Sequence, residues 1–304
     1  MSVLTAQLWT ALPQALHHTG PPSDWAAMTR PGQHMHSFLE AAFFDAAGAL
    51  WLSDVPCGRV FKITPDAERP DAEWPDAEWE VIHQIDGAPH AMRIAPDGTH
   101  IAVDYTHGLI RLEGDGAFSV LATGGAQPFL GLSDMAYGPD GALWFTDSGR
   151  SHLGDPAGRV YRWHNGALRL VLECVPYANG ISVAPDNAWV YVAATRANQV
   201  WKFAATLPDE GQPMVGTYLQ LSGGLGPDGL ACNDLGWLAV AQAQAGRAYV
   251  YDALGDLLAE VRLPRGLWTT SVTFHPDDPC RLIIVEAQFG GVFICDIPTL
   301  RGTP

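Results

Sequence analysis

The chain has 304 residues, 47% hydrophobic and 16% charged, enough to bury a sizeable core in either two domains or one large β-rich domain. Its 32 Gly, 23 Pro and 11 Trp against 17 Lys plus Arg are poor material for long helices and point to an all-β architecture. A formal charge of −16 argues against nucleic acid and anionic membrane as partners, because both are held by Lys and Arg.

From the N-terminus, no apolar run reaches the roughly 18 to 20 residues that cross a bilayer, and residues 1–20 place no basic segment ahead of an apolar one. An unexported, cytoplasmic protein is expected. Cys57, Cys174, Cys232, Cys280 and Cys295 are odd in number, widely spaced and free of any CxxC pair, which fits reduced, mostly buried thiols. Residues 1–37 match no later segment and form a lead-in, with a ring-closing strand expected from Leu8 to Leu12.

From residue 38 onward the chain repeats itself. The clearest copies are Phe43-Phe44-Asp45-Ala46-Ala47-Gly48-Ala49-Leu50-Trp51-Leu52-Ser53-Asp54 and Ala136-Tyr137-Gly138-Pro139-Asp140-Gly141-Ala142-Leu143-Trp144-Phe145-Thr146-Asp147. Weaker copies pass through Pro96-Asp97-Gly98, Pro185-Asp186-Asn187, Asn233-Asp234-Leu235-Gly236 and Pro276-Asp277-Asp278-Pro279. Pivots at Gly48, Gly98, Gly141, Asn187, Gly236 and Pro279 are spaced by 50, 43, 46, 49 and 43 residues, the size of a four-stranded propeller blade. The spacing predicts a six-bladed β-propeller of four-stranded antiparallel blades over 38–304, with tight turns at the pivots. Between the first two copies, Pro65-Asp66-Ala67-Glu68 recurs twice, up to Trp79, and reads as an acidic solvated loop ahead of a strand at Val81.

In a propeller the first strand of each blade lines the central channel. Eight positions before the six pivots stand Glu40, His90, Ser133, Asn179, Asp228 and Ser271, all polar. Further along the same strands stand Phe44, Met92, Ile94, Met135, Tyr137, Ile181, Val183 and Leu230. A polar ring above an apolar plug is therefore predicted. Glu40, Asn179 and Asp228 offer two carboxylates and a carboxamide, which suit one divalent metal ion: calcium first, with magnesium, manganese, zinc or iron(II) as alternatives.

Other signals are weaker. Gly224-Leu225-Gly226-Pro227-Asp228-Gly229 matches GxGxxG but lacks the strand before and helix after that a dinucleotide site requires. His34-x-His36 lacks a third ligand, though its closeness to Glu40 suits a substrate contact. No GxSxG elbow is present. Trp268, Gln242, Glu286 and Gln288 are candidates for the edge of the same mouth.

The residues resemble the family of regucalcin (senescence marker protein), gluconolactonase and luciferin-regenerating enzyme over nearly the whole chain. Glu40 with Phe43-Phe44-Asp45 is similar to the family's opening Glu-Gly-Pro-x-Trp. Ser133-Asp134 with Phe145-Thr146-Asp147, Asn179-Gly180-Ile181 and Pro227-Asp228-Gly229 are similar to its Asn-Asp with Phe-Thr-Asp, its Asn-Gly-Ile and its Pro-Asp-Gly. The resemblance implies metal ligation by the same Glu40, Asn179 and Asp228. Ser133 stands where the family often has Asn, Gly131 where some sugar-lactone members carry Arg, and Ala41-Ala42 where it has Gly-Pro.

The leading expectation is a metal-dependent hydrolase that opens a small lactone, an aldonolactone or another, with a small or non-sugar one preferred for want of Arg at position 131; the metal polarises the carbonyl and Asp228 orients or deprotonates water. Ser133, Asp134, His90, His36 and His34 are the expected substrate contacts. The alternatives are a non-catalytic propeller that binds a metabolite or protein around a structural metal, and an esterase or phosphotriesterase on the same site. The expected partner is a small molecule, and the expected assembly is a monomer or weak homo-oligomer.

Overall fold

The computed structural model describes residues 2–64 and 77–298. Six antiparallel sheets stand around one axis, each running outward in chain order. Blade 1 comprises Leu39–Phe44, Leu50–Asp54, Arg59–Thr64 and Glu78–Gln84; blade 2 comprises Pro89–Ile94, His100–Asp104, Gly108–Leu112 and Phe118–Ala122. Blade 3 comprises Leu132–Tyr137, Leu143–Asp147, Gly158–His164 and Ala167–Val175; blade 4 comprises Ala178–Val183, Trp189–Ala194, Gln199–Ala204 and Gly216–Gln220. Blade 5 comprises Gly226–Cys232, Leu238–Ala243, Arg247–Tyr251 and Leu257–Arg262, and the chain itself supplies three strands of blade 6, Thr269–His275, Asp278–Glu286 and Gly291–Asp296. The six-bladed propeller read from the repeat is the fold.

The lead-in completes the ring. Its strand Gln7–Ala11 pairs antiparallel with Gly291–Asp296 and forms the outer edge of blade 6, while Ser2–Thr5 adds a fifth, parallel strand to blade 5. Both ends of the chain thus share one sheet, which satisfies an edge that would otherwise be open. The acidic repeat at residues 65–76 lies outside the described residues; its last copy runs into Glu78–Gln84, where Trp79 is buried and donates to Thr10 Oγ1 at 3.1 Å.

The pivot turns follow the sequence chemistry. Gly48, Gly98, Gly141, Asn187 and Gly236 all hold positive φ, and the side chains of Asp45, Asp97, Asp140 and Asp186 each accept a backbone N–H two residues on, the usual Asx turn. Pro279 differs: His275 pairs directly with Asp278 across a shorter turn, and Pro279 falls inside Asp278–Glu286.

The core lies between neighbouring blades, as in the cluster of Trp51 and Val60 with Met92, Ala102 and Ile110. This corrects part of the expected apolar plug. Met92, Met135 and Val183 pack between blades, whereas Phe44, Ile94, Tyr137, Ile181 and Leu230 line the lower mouth of the channel together with Arg93. The strict alternation behind that expectation fails because every innermost strand is irregular. The register shifts between Glu40 and Phe43, Pro89 and Ala91, Leu132 and Met135, Ala178 and Ile181, Pro227 and Leu230, and Thr269 and Ser271. An extra residue at a bulge bends the strand and re-aims a side chain, and here it does so at one height in all six blades.

All five cysteines are free, but only Cys295 is buried; Cys57, Cys232 and Cys280 are half-buried and Cys174 is exposed. Among the described residues, no helix is long and apolar enough to cross a membrane.

Candidate active site

The bulges deliver five of the six ring residues to one cavity. Glu40, His90, Ser133, Asn179 and Asp228 all line a space of about 700 Å³ at the upper mouth of the channel. Ser271 does not: its hydroxyl accepts the backbone N–H of Ala42 at 2.9 Å and bridges blades 6 and 1.

The loops entering these strands are braced from below by acids at the ends of the second strands. Asp54 accepts from the N–H of Phe38, Asp104 from Ala88, Asp147 from Leu130 and Gly131, and Glu286 from Trp268, at 2.7–3.0 Å. These acids are buried, and a buried carboxylate that accepts backbone N–H groups holds its partner firmly. Glu286 is thus a brace rather than a mouth residue. Gln242 is also buried and is bonded to Asn198 and Gly223, Gln288 is not on the lining, and Trp268 is. Glycine follows two of the ring residues for a steric reason. A Cβ on Gly180 would overlap the carbonyl oxygen of Asp228, and one on Gly229 would come within 2.8 Å of the Thr270 carbonyl.

At the floor, Asn179 Nδ2 donates to Asp228 Oδ1 at 2.7 Å, and Ser133 Oγ donates to Asn179 Oδ1 at 2.7 Å. Burial pushes the Asp228 carboxyl well above the usual carboxylate range, and the carboxylates of Glu40 and Asp134 push it further. His90 Nδ1 lies 3.1 Å from Glu40 Oε2 but out of hydrogen-bond alignment, and both buried ring nitrogens of His90 lack a hydrogen-bond partner. The imidazole is wedged between Trp25 and Tyr105, with ring centroids at 5.5 and 5.7 Å.

Three expected substrate contacts lie elsewhere. Asp134 points below the floor: its carboxylate accepts from Met135 and Ile181, its Oδ1 is 3.8 Å from Arg93, and burial raises its pKa to about 6. Within the bulge between Leu132 and Met135, Ser133 takes the cavity while Asp134 accepts from Ile181 and ties blade 3 to blade 4. His36 stacks on His17 at 4.0 Å and is bonded to Ser37, and His34 is exposed. Neither lines the cavity, which the lead-in reaches instead through Trp25, Met28, Arg30 and Phe38.

The walls come from residues that the repeat did not single out. The short helix Asp24–Thr29, capped by Ser23, brings Trp25 and Met28 over the mouth and is followed by Arg30. Tyr105, Arg150, Tyr177 and Arg196 complete it from the upper loops. Their sequence signal is slight, since each follows a blade's second strand or precedes its first without a motif. The Tyr177 phenol is pushed up to about 12 by burial and by Glu40 and Asp228, so it keeps its proton and remains a donor. The ring of Tyr105 fills the space above Gly131: an ideal Cβ there would lie 2.6 Å from its Cζ, on a backbone at φ +146. This accounts for glycine where sugar-lactone members carry Arg.

Residues 39–288 match the model of the SMP-30/Gluconolactonase/LRE-like region. The chain belongs to this family. A relative within reach is lactonase drp35 of Staphylococcus aureus, 28% identical over 288 aligned positions that cover 88% of this chain and 83% of the relative. Among solved SMP-30/gluconolactonase-like folds, a calcium-binding regucalcin from Agrobacterium tumefaciens superimposes with a TM-score of 0.73 at 20% identity, covering 98% of this chain and 96% of that one. A gluconolactonase from Xanthomonas campestris gives 0.70 at 20% identity, covering 95% and 98%.

The floor's donor chemistry fits a hard divalent cation. Two carboxylates and a carboxamide converge, no cationic side chain among the described residues is paired with Asp228, and His90 is left orphaned beside Glu40. Among the described residues no three His, Cys, Asp or Glu side chains form a metal-holding group; the set here is two carboxylates and an amide oxygen. Asn179 as placed turns its N–H toward Asp228. Holding a cation takes the opposite orientation, which the Ser133 hydroxyl tolerates because it accepts as well as donates.

Proposed function

We propose that this protein is a metal-dependent lactonase acting on a non-sugar lactone. The observation that carries this reading is the meeting of Glu40, Asn179 and Asp228, from three blades, at the floor of one cavity, with Asp228 buried, bonded to Asn179 and repelled by the carboxylates of Glu40 and Asp134. The lactonase relative and the family support the reaction class. A divalent ion held by these three residues, calcium first among them, supplies Lewis-acid polarisation of the carbonyl.

The chain's own groups do the rest. With one oxygen of Asp228 on the ion, the other would stay free to orient a water and take its proton as the water oxygen bonds to the carbonyl carbon. The ring C–O bond then breaks, and the same proton passes to the leaving ring oxygen, giving a hydroxycarboxylate. Ser133 and His90 contact the substrate from the floor, and the protonated Tyr177 phenol is placed to donate to an oxygen that gains charge. Gly131 beneath Tyr105 offers no guanidinium for sugar hydroxyls, so a non-sugar ring is favoured.

The test is a panel of lactones offered to metal-stripped protein with calcium, magnesium, manganese, zinc or iron(II) restored one at a time. Turnover that depends on the metal and is lost in Asp228→Ala and Glu40→Ala is the expected result. Tight metal binding with no turnover of any lactone or ester would leave a non-catalytic propeller instead.

A further inference from the structure

The charges around the cavity are arranged in two layers. The floor carries Glu40 and Asp228, while Arg30, Arg150 and Arg196 stand at the mouth. Several other arginines of this acidic protein sit against carboxylates, as in Arg59 with Asp54, Arg159 with Asp147, Arg162 with Asp140 and Arg247 with Glu260. Among the described residues, none of the three mouth arginines has such a partner. Arg150 donates once, to the Met28 carbonyl at 3.2 Å, and the side chains of Arg30 and Arg196 donate to no protein acceptor.

Arg30 is the most telling of the three. It is half-buried, and its guanidinium carbon lies over Trp268, 3.6 Å from the ring centroid. A guanidinium held against an aromatic face can still offer its N–H fork to a planar carboxylate. Arg196 lies near the Tyr177 ring, 5.7 Å from its centroid. A chain of net charge −16 repels anions at long range, so a local reversal of sign at the entrance to this cavity selects for them. The walls between rim and floor are flat and aromatic, from Trp25, Phe38, Trp268 and Tyr105, and the cavity of about 700 Å³ far exceeds a bare lactone ring.

We infer that the substrate is a lactone carrying a flat apolar body and, at the end away from the reacting carbonyl, a carboxylate that Arg30 and Arg196 bind at the cavity mouth. This rests on the lactonase reading for the reaction and adds the substrate class. The carboxylate released by ring opening forms at the floor, so the rim serves a second anionic group.

The experiment compares dihydrocoumarin bearing a carboxylate on its benzo ring with the matching carboxamide, using the full chain with its metal. The acid is expected to show kcat/KM about tenfold or more above the amide, the range of one charge-assisted hydrogen bond. That ratio should fall toward one in Arg30→Gln, in the surface variant Arg196→Gln, and in roughly 0.5 M salt, which screens such contacts. Equal kcat/KM for acid and amide overturns the inference and leaves the lactonase standing. If neither is turned over, calorimetry of metal-free protein with the corresponding lactam pair decides. Preferential binding of the acid that Arg30→Gln abolishes upholds the anion site and ends the lactonase reading, and equal binding overturns both.

Discussion

Asn179 and Asp228 are joined by a 2.7 Å hydrogen bond between the innermost strands of blades 4 and 5, and each is followed by a glycine that lets the next strand approach. A carboxylate this buried among other carboxylates is costly in the metal-free fold. Asp228→Asn is therefore expected to raise the melting temperature of the metal-free protein, by about 2 °C for each ~1 kcal/mol relieved in a chain of this size. The same change should weaken cation binding by more than the ~10–100-fold typical of losing an outer partner. Calorimetry with and without metal measures both, and a lower melting temperature of the metal-free variant would contradict the first.

Proton and metal compete for the same floor. Burial and neighbouring carboxylates raise Asp228 well above the ordinary range, so as the pH falls a proton takes a carboxyl that a cation needs free. The thermal shift produced by a saturating divalent cation is expected to be larger at about pH 7.5 than at about pH 5. An equal shift at both would place the cation elsewhere.

Asp134 carries its own pH signature. Its folded pKa of about 6 lies above the unattached value of 3.8, so the folded state binds the extra proton. The stability it contributes is present below the lower value and is lost as pH rises through the higher one. The stability of the wild type minus that of Asp134→Asn should thus decline between about pH 4 and pH 6 in urea unfolding. A difference that is flat or rising across that window would refute the assignment.

Ala41 holds φ at 55° in the bulge after Glu40, where the family has glycine. A left-handed alanine costs roughly 1–2 kcal/mol, of which the flexibility of unfolded glycine offsets part. Ala41→Gly should stabilise the fold by about 0.5–1 kcal/mol, read as a rise in urea midpoint at constant slope.

Gly131→Arg meets the Tyr105 ring and a disfavoured φ together. It should destabilise by about 3 kcal/mol or more, and Tyr105→Ala in the same chain should recover only part, since the backbone strain stays. Full additivity of the two changes in chemical unfolding would show that the ring is not what excludes a side chain there.

The repeat determined most of this protein from sequence alone. Turn residues at spacings near 46 set the blades, and a single offset from those turns found Glu40, His90, Ser133, Asn179 and Asp228, because blades related by rotation put equal offsets at equal height. The offset erred where local geometry intervened. Ser271 was drawn off to cap Ala42, and Met92 and Met135 were turned between blades by the bulges; Asp134, expected as a contact beside Ser133, faced away from it. The lead-in was legible only as an unmatched segment. That it closes blade 6, stacks His36 on His17 away from the cavity, and lays Trp25 and Arg30 over the mouth was decided by tertiary structure alone. Periodicity fixes residues related by the repeat, whereas walls and rim are built from non-repeating loops whose partners are set only when the ring closes.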